Sequence, residues 1–170
     1  MDFKRLIRDI PDFPEKGVVF KDITPLLKDA KALNACFHAL FNLVAEREVH
    51  KVVGMESRGF FFAPMLAAKL NAGFVPVRKN GKLPAMKIRG SYALEYGEDT
   101  LEMHSDSILK GERVLIHDDV LATGGTAKAV CELVERLGGE VVQCVFLLQL
   151  DALKGVDKLK GYKVDALLHY

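Results

Sequence analysis

A chain of 170 residues is long enough for one domain, and a domain of that size removes roughly 70% of its unfolded-chain surface from water. With 49% hydrophobic residues and a formal net charge of +1, the composition excludes a disordered chain and gives no electrostatic commitment to nucleic acid or an acidic membrane surface. A small or locally recognised partner is expected instead. The N-terminal MDFKRLIRDIPDF mixes charges among its apolar residues, with Pro11 inside it and Pro14 just beyond, so no secretory core is expected; no apolar run reaches membrane-spanning length. Cys36, Cys131 and Cys144 are far apart, with no C-x-x-C pair and no His at ligand spacing. Buried reduced thiols in a cytoplasmic protein are expected, without a zinc site.

Leu33, Cys36, Phe37, Leu40, Phe41 and Val44 recur at three-and-four spacing, predicting an amphipathic helix between Lys31 and Glu48. His50 to Glu56 reads as a strand, Ser57-Arg58-Gly59 as a tight loop, and Phe60 to Leu70 as a buried helix with Pro64 in its first turn and Asn71-Ala-Gly73 as its stop. Gly73 to Arg78 predicts a second strand. Lys79 to Asp99, rich in Gly, Lys and Pro and without a steady period, predicts a long mobile excursion with weak strands. Arg113 to Ile116 is a third buried strand, Thr126 to Leu137 a helix ended by Gly138-Gly139, Val141 to Leu150 a strand covered on both faces, and Tyr162 to Leu168 a last strand. Alternating strands and helices imply right-handed βαβ units, hence an α/β fold with a mostly parallel sheet and helices on both faces. In such sheets ligands bind beyond the carboxyl ends of strands, which points to the loops after Met55, Val77 and Ile116.

The segment Val114 to Thr126, VLIHDDVLATGGT, follows a strand with two carboxylates and enters a helix through two glycines and two threonines. Glycines let backbone N–H groups approach a phosphate, a helix N-terminus adds positive potential, and Thr123 and Thr126 offer hydroxyls. Asp118 and Asp119 would repel that phosphate, so sugar hydroxyls or a metal-bound water suit them better. Gly-Gly-Thr alone reads more readily as a helix cap beside a surface acidic pair; the full string with both acids is what makes it specific. Gly54 to Gly59 has P-loop glycine spacing, but Phe60 and Phe61 stand where Lys and Ser/Thr are required, and no G-x-G-x-x-G follows a strand. Glu56-Ser57-Arg58-Gly59 puts a guanidinium and backbone N–H groups at the sheet edge, which suits a diphosphate. Arg78, Lys79 and Lys82 add positive charge where a leaving diphosphate accumulates negative charge.

The acidic pair with Ala-Thr-Gly-Gly-Thr126 resembles the phosphoribosyl diphosphate signature of type I phosphoribosyltransferases. The resemblance narrows with Glu56 to Phe60, Arg78 to Pro84, Ser91 to Gly97, Asp12-Phe-Pro14 and Gly17 to Pro25, all similar to segments of the adenine phosphoribosyltransferase family, in order from about Ile10 to Leu150. It implies the type I fold in a single domain spanning 1–170, with 1–30 as an N-terminal purine-binding region and a mobile closing loop. It implies a purine salvage enzyme that joins adenine to phosphoribosyl diphosphate, giving AMP and diphosphate with inversion at C1. Ala122, Thr123, Gly124, Gly125 and Thr126 would hold the 5-phosphate, Asp118 and Asp119 the ribose hydroxyls, and Ser57 and Arg58 the diphosphate. Glu56 would shape its loop, in which the family often has a non-proline cis peptide. Val19 and Phe20 would meet adenine; Lys21 stands where Arg is common and lacks the planar fork and stack, so base contact by it is not implied. Glu95 would manage the proton of the purine, with Tyr96 beside it in the closing loop. Mg²⁺ would arrive chelated by the donor, leaving no protein metal ligand to name. Asn80 and His117 depart from the family pattern, and His117 is expected to face away from ligand. A homodimer is expected.

Two other readings use the same residues. An oxopurine base would need partners for its carbonyls, with Lys163 as a candidate. A regulator that senses the donor and binds nucleic acid would need a broad basic face or an added domain, which the near-zero net charge does not supply.

Overall fold

Charged residues facing one another across a short hairpin shape the start of the chain. The computed structural model describes residues 1–93 and 98–170, and the chain divides into two compact units, Met1–Ala39 and Leu40–Tyr170. In the first, Arg8–Pro11 (β1) and Val19–Asp22 (β2) pair antiparallel, with Arg8 opposite Asp22 and Asp9 opposite Lys21. Both facing pairs are ion pairs: Arg8 Nη2 lies 2.6 Å from Asp22 Oδ2, and Lys21 Nζ 2.7 Å from Asp9 Oδ1. The backbone N–H of Thr24, followed by the Arg8 guanidinium, lowers the pKa of Asp22 to about 2. Phe13 packs edge-on against Phe20 with ring centres 5.2 Å apart. Thr24–Leu27 (α1) carries Pro25 in its first turn, and Ala30–Asn42 (α2) is capped by Asp29, whose carboxylate accepts the Ala32 N–H at 2.9 Å. The predicted stripe is present, with Cys36, Phe37 and Leu40 buried. The helix ends earlier than its periodicity suggests, because the N–H groups of Leu43 and Val44 bond back only three residues, to Leu40 and Phe41.

The second unit is built on aliphatic runs. Lys51–Met55 (β3) passes through a short 3-10 turn, Arg58–Phe60, into Ala63–Lys69 (α3), with Pro64 in the first turn, and on to Gly73–Lys79 (β4). Lys87–Ala93 (β5), Glu98–His104 (β6), Arg113–Leu121 (β7), Gly125–Arg136 (α4), Glu140–Gln149 (β8) and Val164–His169 (β9) follow. The sheet order is β5-β6-β4-β3-β7-β8-β9. The strands β4, β3, β7, β8 and β9 run parallel, and β6 is antiparallel to both its neighbours. From β3 the chain crosses through α3 to β4 on one side; from β7 it crosses through α4 to β8 on the other. Right-handed crossovers in opposite directions put α3 and α4 on opposite faces and make the gap between β3 and β7 the switch point. Val53, Met55, Val77, Ile116 and Cys144 share one core layer with Val130, Leu133 and Val134 of α4.

Two parts of this unit differ from expectation. The stretch Lys79 to Asp99, expected to be a mobile excursion with weak strands, contains β5 and only the start of β6, which runs on to His104, and the two pair over seven consecutive positions from Lys87↔His104 to Ala93↔Glu98. Strand β7 does not stop at Ile116 but continues through Asp118 and Asp119 to Leu121, because β8 pairs alongside it as far as Gln149. The acids are therefore strand residues.

His117 lies opposite Gly54 and Val145 on β7 and is completely buried, its ring edge-on to Phe62 at 6.3 Å. Burial lowers its pKa from 6.5 to about 4, while Nδ1 sits 3.0 Å from the carbonyl of Val145, to which a neutral ring donates. The unfolded chain takes up the proton first, so stability is full above pH 6.5 and falls as pH drops toward 4, by about 3 kcal/mol across that window. His117→Val is expected to flatten the decline between pH 6.5 and 4 in urea unfolding; parallel wild-type and variant profiles would refute this. All three cysteines are free and buried, with Cys131 and Cys144 Sγ atoms 3.7 Å apart, and burial pushes the Cys36 thiol up to about 12. Such thiols are poor nucleophiles.

Candidate active site

The turn between β7 and α4 is shaped by a glycine that no other residue replaces easily. Gly124 caps α4 in the left-handed conformation, φ +77°, and a Cβ there would lie 2.2 Å from the carbonyl oxygen of Gly155. The chain after β8 thus presses directly on the loop. Ala122, Thr123, Gly124 and Thr126 line a cavity of 70 Å³ together with Asp118, and Gly125 begins the helix. The first N–H groups of a twelve-residue helix have no intrahelical acceptor and open toward an anion.

Beside it is a larger cavity of 420 Å³, lined by Glu56, Ser57, Arg58, Lys79, Lys82, Asp118 and Asp119. That is the size of a small-molecule site. Asp118 belongs to both cavities, so the acidic pair stands between a phosphate-sized cradle and a strongly charged hollow. Asp119 is 2% exposed in its side chain and lies 3.1 Å from Arg58 Nε. Its backbone N–H donates to Asp118 Oδ1 at 2.9 Å. Burial, and then the neighbouring Asp119 carboxylate, raises the pKa of Asp118 well above the carboxylate range. Two adjacent carboxyls, one stabilised by a guanidinium and the other ready to hold a proton, form an acceptor and donor set suited to vicinal hydroxyls.

Glu56 organises the basic side of the hollow. Its side chain is 8% exposed and accepts from the Lys79 backbone N–H at 2.9 Å, from Arg78 Nε and Nη2 at 3.3 Å each, and from the Lys82 ammonium. Burial alone would raise its pKa; the donors, Lys82 first, outweigh it and bring it to about 2. The Glu56–Ser57 peptide bond is cis. Arg78, Lys82 and the Lys79 backbone are thus gathered on one carboxylate at the cavity wall, while Arg58 pairs with Asp119.

Val19, Phe20 and Lys21 are on β2 in the first unit, with Lys21 tied to Asp9. Glu95 and Tyr96 lie outside the described residues. Lys163 directly precedes β9, a strand parallel to β8, and therefore sits at the amino end of the sheet, opposite to Asp118. This removes it as a partner for an oxopurine in the donor hollow. Gly155 was not singled out from sequence: a Cβ on it would lie 2.1 Å from the carbonyl of Ala122, so it buttresses the turn between β7 and α4 from outside. Its only signal is a glycine in a charged loop after a buried strand.

Comparison with known proteins agrees with this geometry. Residues 22–167 match the family model described as Phosphoribosyl transferase domain. The chain is 60% identical over 170 residues to the adenine phosphoribosyltransferase of Flavobacterium johnsoniae, covering all of both chains. Among solved structures, the adenine phosphoribosyltransferase of Thermoanaerobacter pseudethanolicus superposes with a TM-score of 0.97 at 51% identity, over 99% of this chain and 98% of that one. The Saccharomyces cerevisiae enzyme, complexed with an imino-altritol bisphosphate and adenine, gives a TM-score of 0.92 at 40% identity, over 98% and 97% of the two chains.

Proposed function

The chain belongs to the adenine phosphoribosyltransferase family, and from that premise we propose that it transfers the 5-phosphoribosyl group of phosphoribosyl diphosphate to N9 of adenine, giving AMP and diphosphate. The observation that carries this reading is the pair of cavities joined at Asp118. A donor with a phosphate at one end, two sugar hydroxyls in the middle and a diphosphate at the other matches that order of groups. Ala122 to Thr126 hold the 5-phosphate, Asp118 and Asp119 the hydroxyls, and Ser57, Arg58, Arg78, Lys79 and Lys82 the diphosphate. As the C1–O bond lengthens, negative charge grows on the leaving diphosphate, where cationic side chains stabilise it most. Positive charge grows on the ribose, with the acidic pair beneath its hydroxyls. Attack from the face opposite the leaving group inverts C1. Val19 and Phe20 supply the backbone groups and the ring that meet adenine, Glu95 manages its proton, and Tyr96 closes over it.

Two adjacent carboxyls fit a magnesium ion that travels on the donor, meeting it through hydroxyl or water ligands; among the described residues no group of three or more His, Cys, Asp or Glu side chains could hold a metal by itself. When bound, the ion neutralises diphosphate charge. We place the enzyme in the cytoplasm, where its three free cysteines stay reduced, and as a two-fold dimer. No helix among the described residues is long and apolar enough to cross a membrane.

The test is competition between bases. With magnesium and donor, adenine is expected to be consumed to AMP while equimolar hypoxanthine, guanine and xanthine persist. Preferential consumption of an oxopurine would overturn the choice of base and leave the donor site standing.

A further inference from the structure

The basic turn is held on its cavity side by Glu56 and from beneath by a second carboxylate that lines neither of the two cavities described above. Glu102 is central in β6, opposite Arg78 of β4 and Arg89 of β5. Its neighbours Leu101 and Met103 enter the apolar core, as the strand period requires. Glu102 faces the other way and yet is completely buried, under the turn and the side chains of Lys87 and Arg89. A buried carboxylate costs more in lost hydration than a partly exposed ion pair returns unless its oxygens are fully used. Here Oε1 accepts from Arg89 Nε at 3.0 Å, and Oε2 accepts from the backbone N–H of Gly81 at 3.0 Å, with Lys87 Nζ 3.6 Å away. The contact to Gly81 is one that an ion pair built only for stability does not need. It completes a series: the Lys79 N–H donates to Glu56 at 2.9 Å, the Asn80 N–H to the carbonyl of Thr100 at 3.1 Å, and the Gly81 N–H to Glu102. Three successive backbone donors are thereby fixed, and Lys79 and Lys82, on either side of the tip, line the hollow.

We propose that Glu102 is a positioning residue for donor binding, its carboxylate fixing the backbone of the turn that presents Lys79 and Lys82 to the diphosphate. This rests on the reading of that turn as part of the diphosphate subsite. The role depends on reach to the Gly81 N–H, whereas a purely structural ion pair with Lys87 and Arg89 depends on charge, and two conservative variants separate them. Glu102→Asp keeps the charge and draws the oxygens back by about 1.5 Å, one carbon–carbon bond. Glu102→Gln keeps an acceptor oxygen at full reach and loses the charge.

Steady-state kinetics with each substrate varied are expected to show the donor KM raised about tenfold in E102D, the scale of one hydrogen bond from a backbone donor to a charged acceptor, with kcat and the adenine KM near wild type. E102Q is expected to retain most of the donor affinity. The reverse order, E102Q losing donor affinity and E102D keeping it, would overturn the proposal, as would equal changes in kcat and both KM values. Lys82→Ala is the control for the underlying reading. If K82A leaves the donor KM unchanged, the turn is not a diphosphate subsite and the proposal falls with it; if K82A raises it and E102D does not, the role of Glu102 alone is refuted.

Discussion

Replacing Gly124 with Ala is expected to lower kcat/KM for phosphoribosyl diphosphate by about 10²-fold, the scale set by displacing a binding group by an ångström or so. Two effects act together. The residue sits at φ +77°, where an L side chain costs about 1–2 kcal/mol, and its new Cβ would be 2.2 Å from the carbonyl of Gly155, a backbone atom with no freedom to swing aside. The loop must move, and with it the N–H groups at the start of α4. Gly155→Ala is expected to produce the same defect from the opposite side, since its Cβ would meet the Ala122 carbonyl at 2.1 Å. Donor-dependent initial rates and thermal melting of both variants decide it. A folded G124A protein with wild-type donor KM would mean that the 5-phosphate binds elsewhere.

Glu95→Gln is expected to slow turnover by about 10²–10⁴-fold, the usual worth of a positioned general acid or base. Adenine reaches the reaction with a proton that has to leave as N9 bonds to C1, and a carboxyl at the purine edge can take or relay it. The amide keeps the size of the side chain and cannot accept that proton. With the proposed action on the base, donor affinity measured by equilibrium binding is expected to remain within about twofold of wild type, the signature of an interaction made mainly in the transition state. A loss of donor affinity as large as the loss of kcat would make Glu95 a structural residue of its loop.

The candidate site was legible in part because its residues are local in the chain. Asp118, Asp119 and the Ala122 to Thr126 turn are neighbours in sequence, the strands β3, β7 and β8 show as continuous apolar runs, and α4 shows as a helical stripe. Charge hid the rest. The β1 and β2 hairpin is held by Arg8 with Asp22 and Lys21 with Asp9, so its strands carry no apolar alternation to mark them, although each charge meets its opposite across the ladder. Glu102 keeps the polar phase of the alternation in β6, so nothing in the sequence marks it as buried, and its partners, the Gly81 N–H and the Lys87 and Arg89 cations, lie on other elements. The acidic pair looked like the end of a strand because two adjacent carboxylates are costly inside one. Arg58, 61 positions before Asp119, supplies the countercharge that lets β7 continue. Gly155 could not be recognised because its constraint is a close approach to Ala122 and Gly124, which only the folded chain brings about.

The most direct measurement follows phosphorus in solution. With purified protein, magnesium and phosphoribosyl diphosphate, ³¹P NMR is expected to show the donor signals stable until adenine is added, then replaced by AMP and diphosphate in equal amounts, one of each per adenine consumed. Donor that persists in the presence of adenine and of each oxopurine, or that breaks down at the same rate with no base present, would contradict the assignment of this chain as a transferase to adenine.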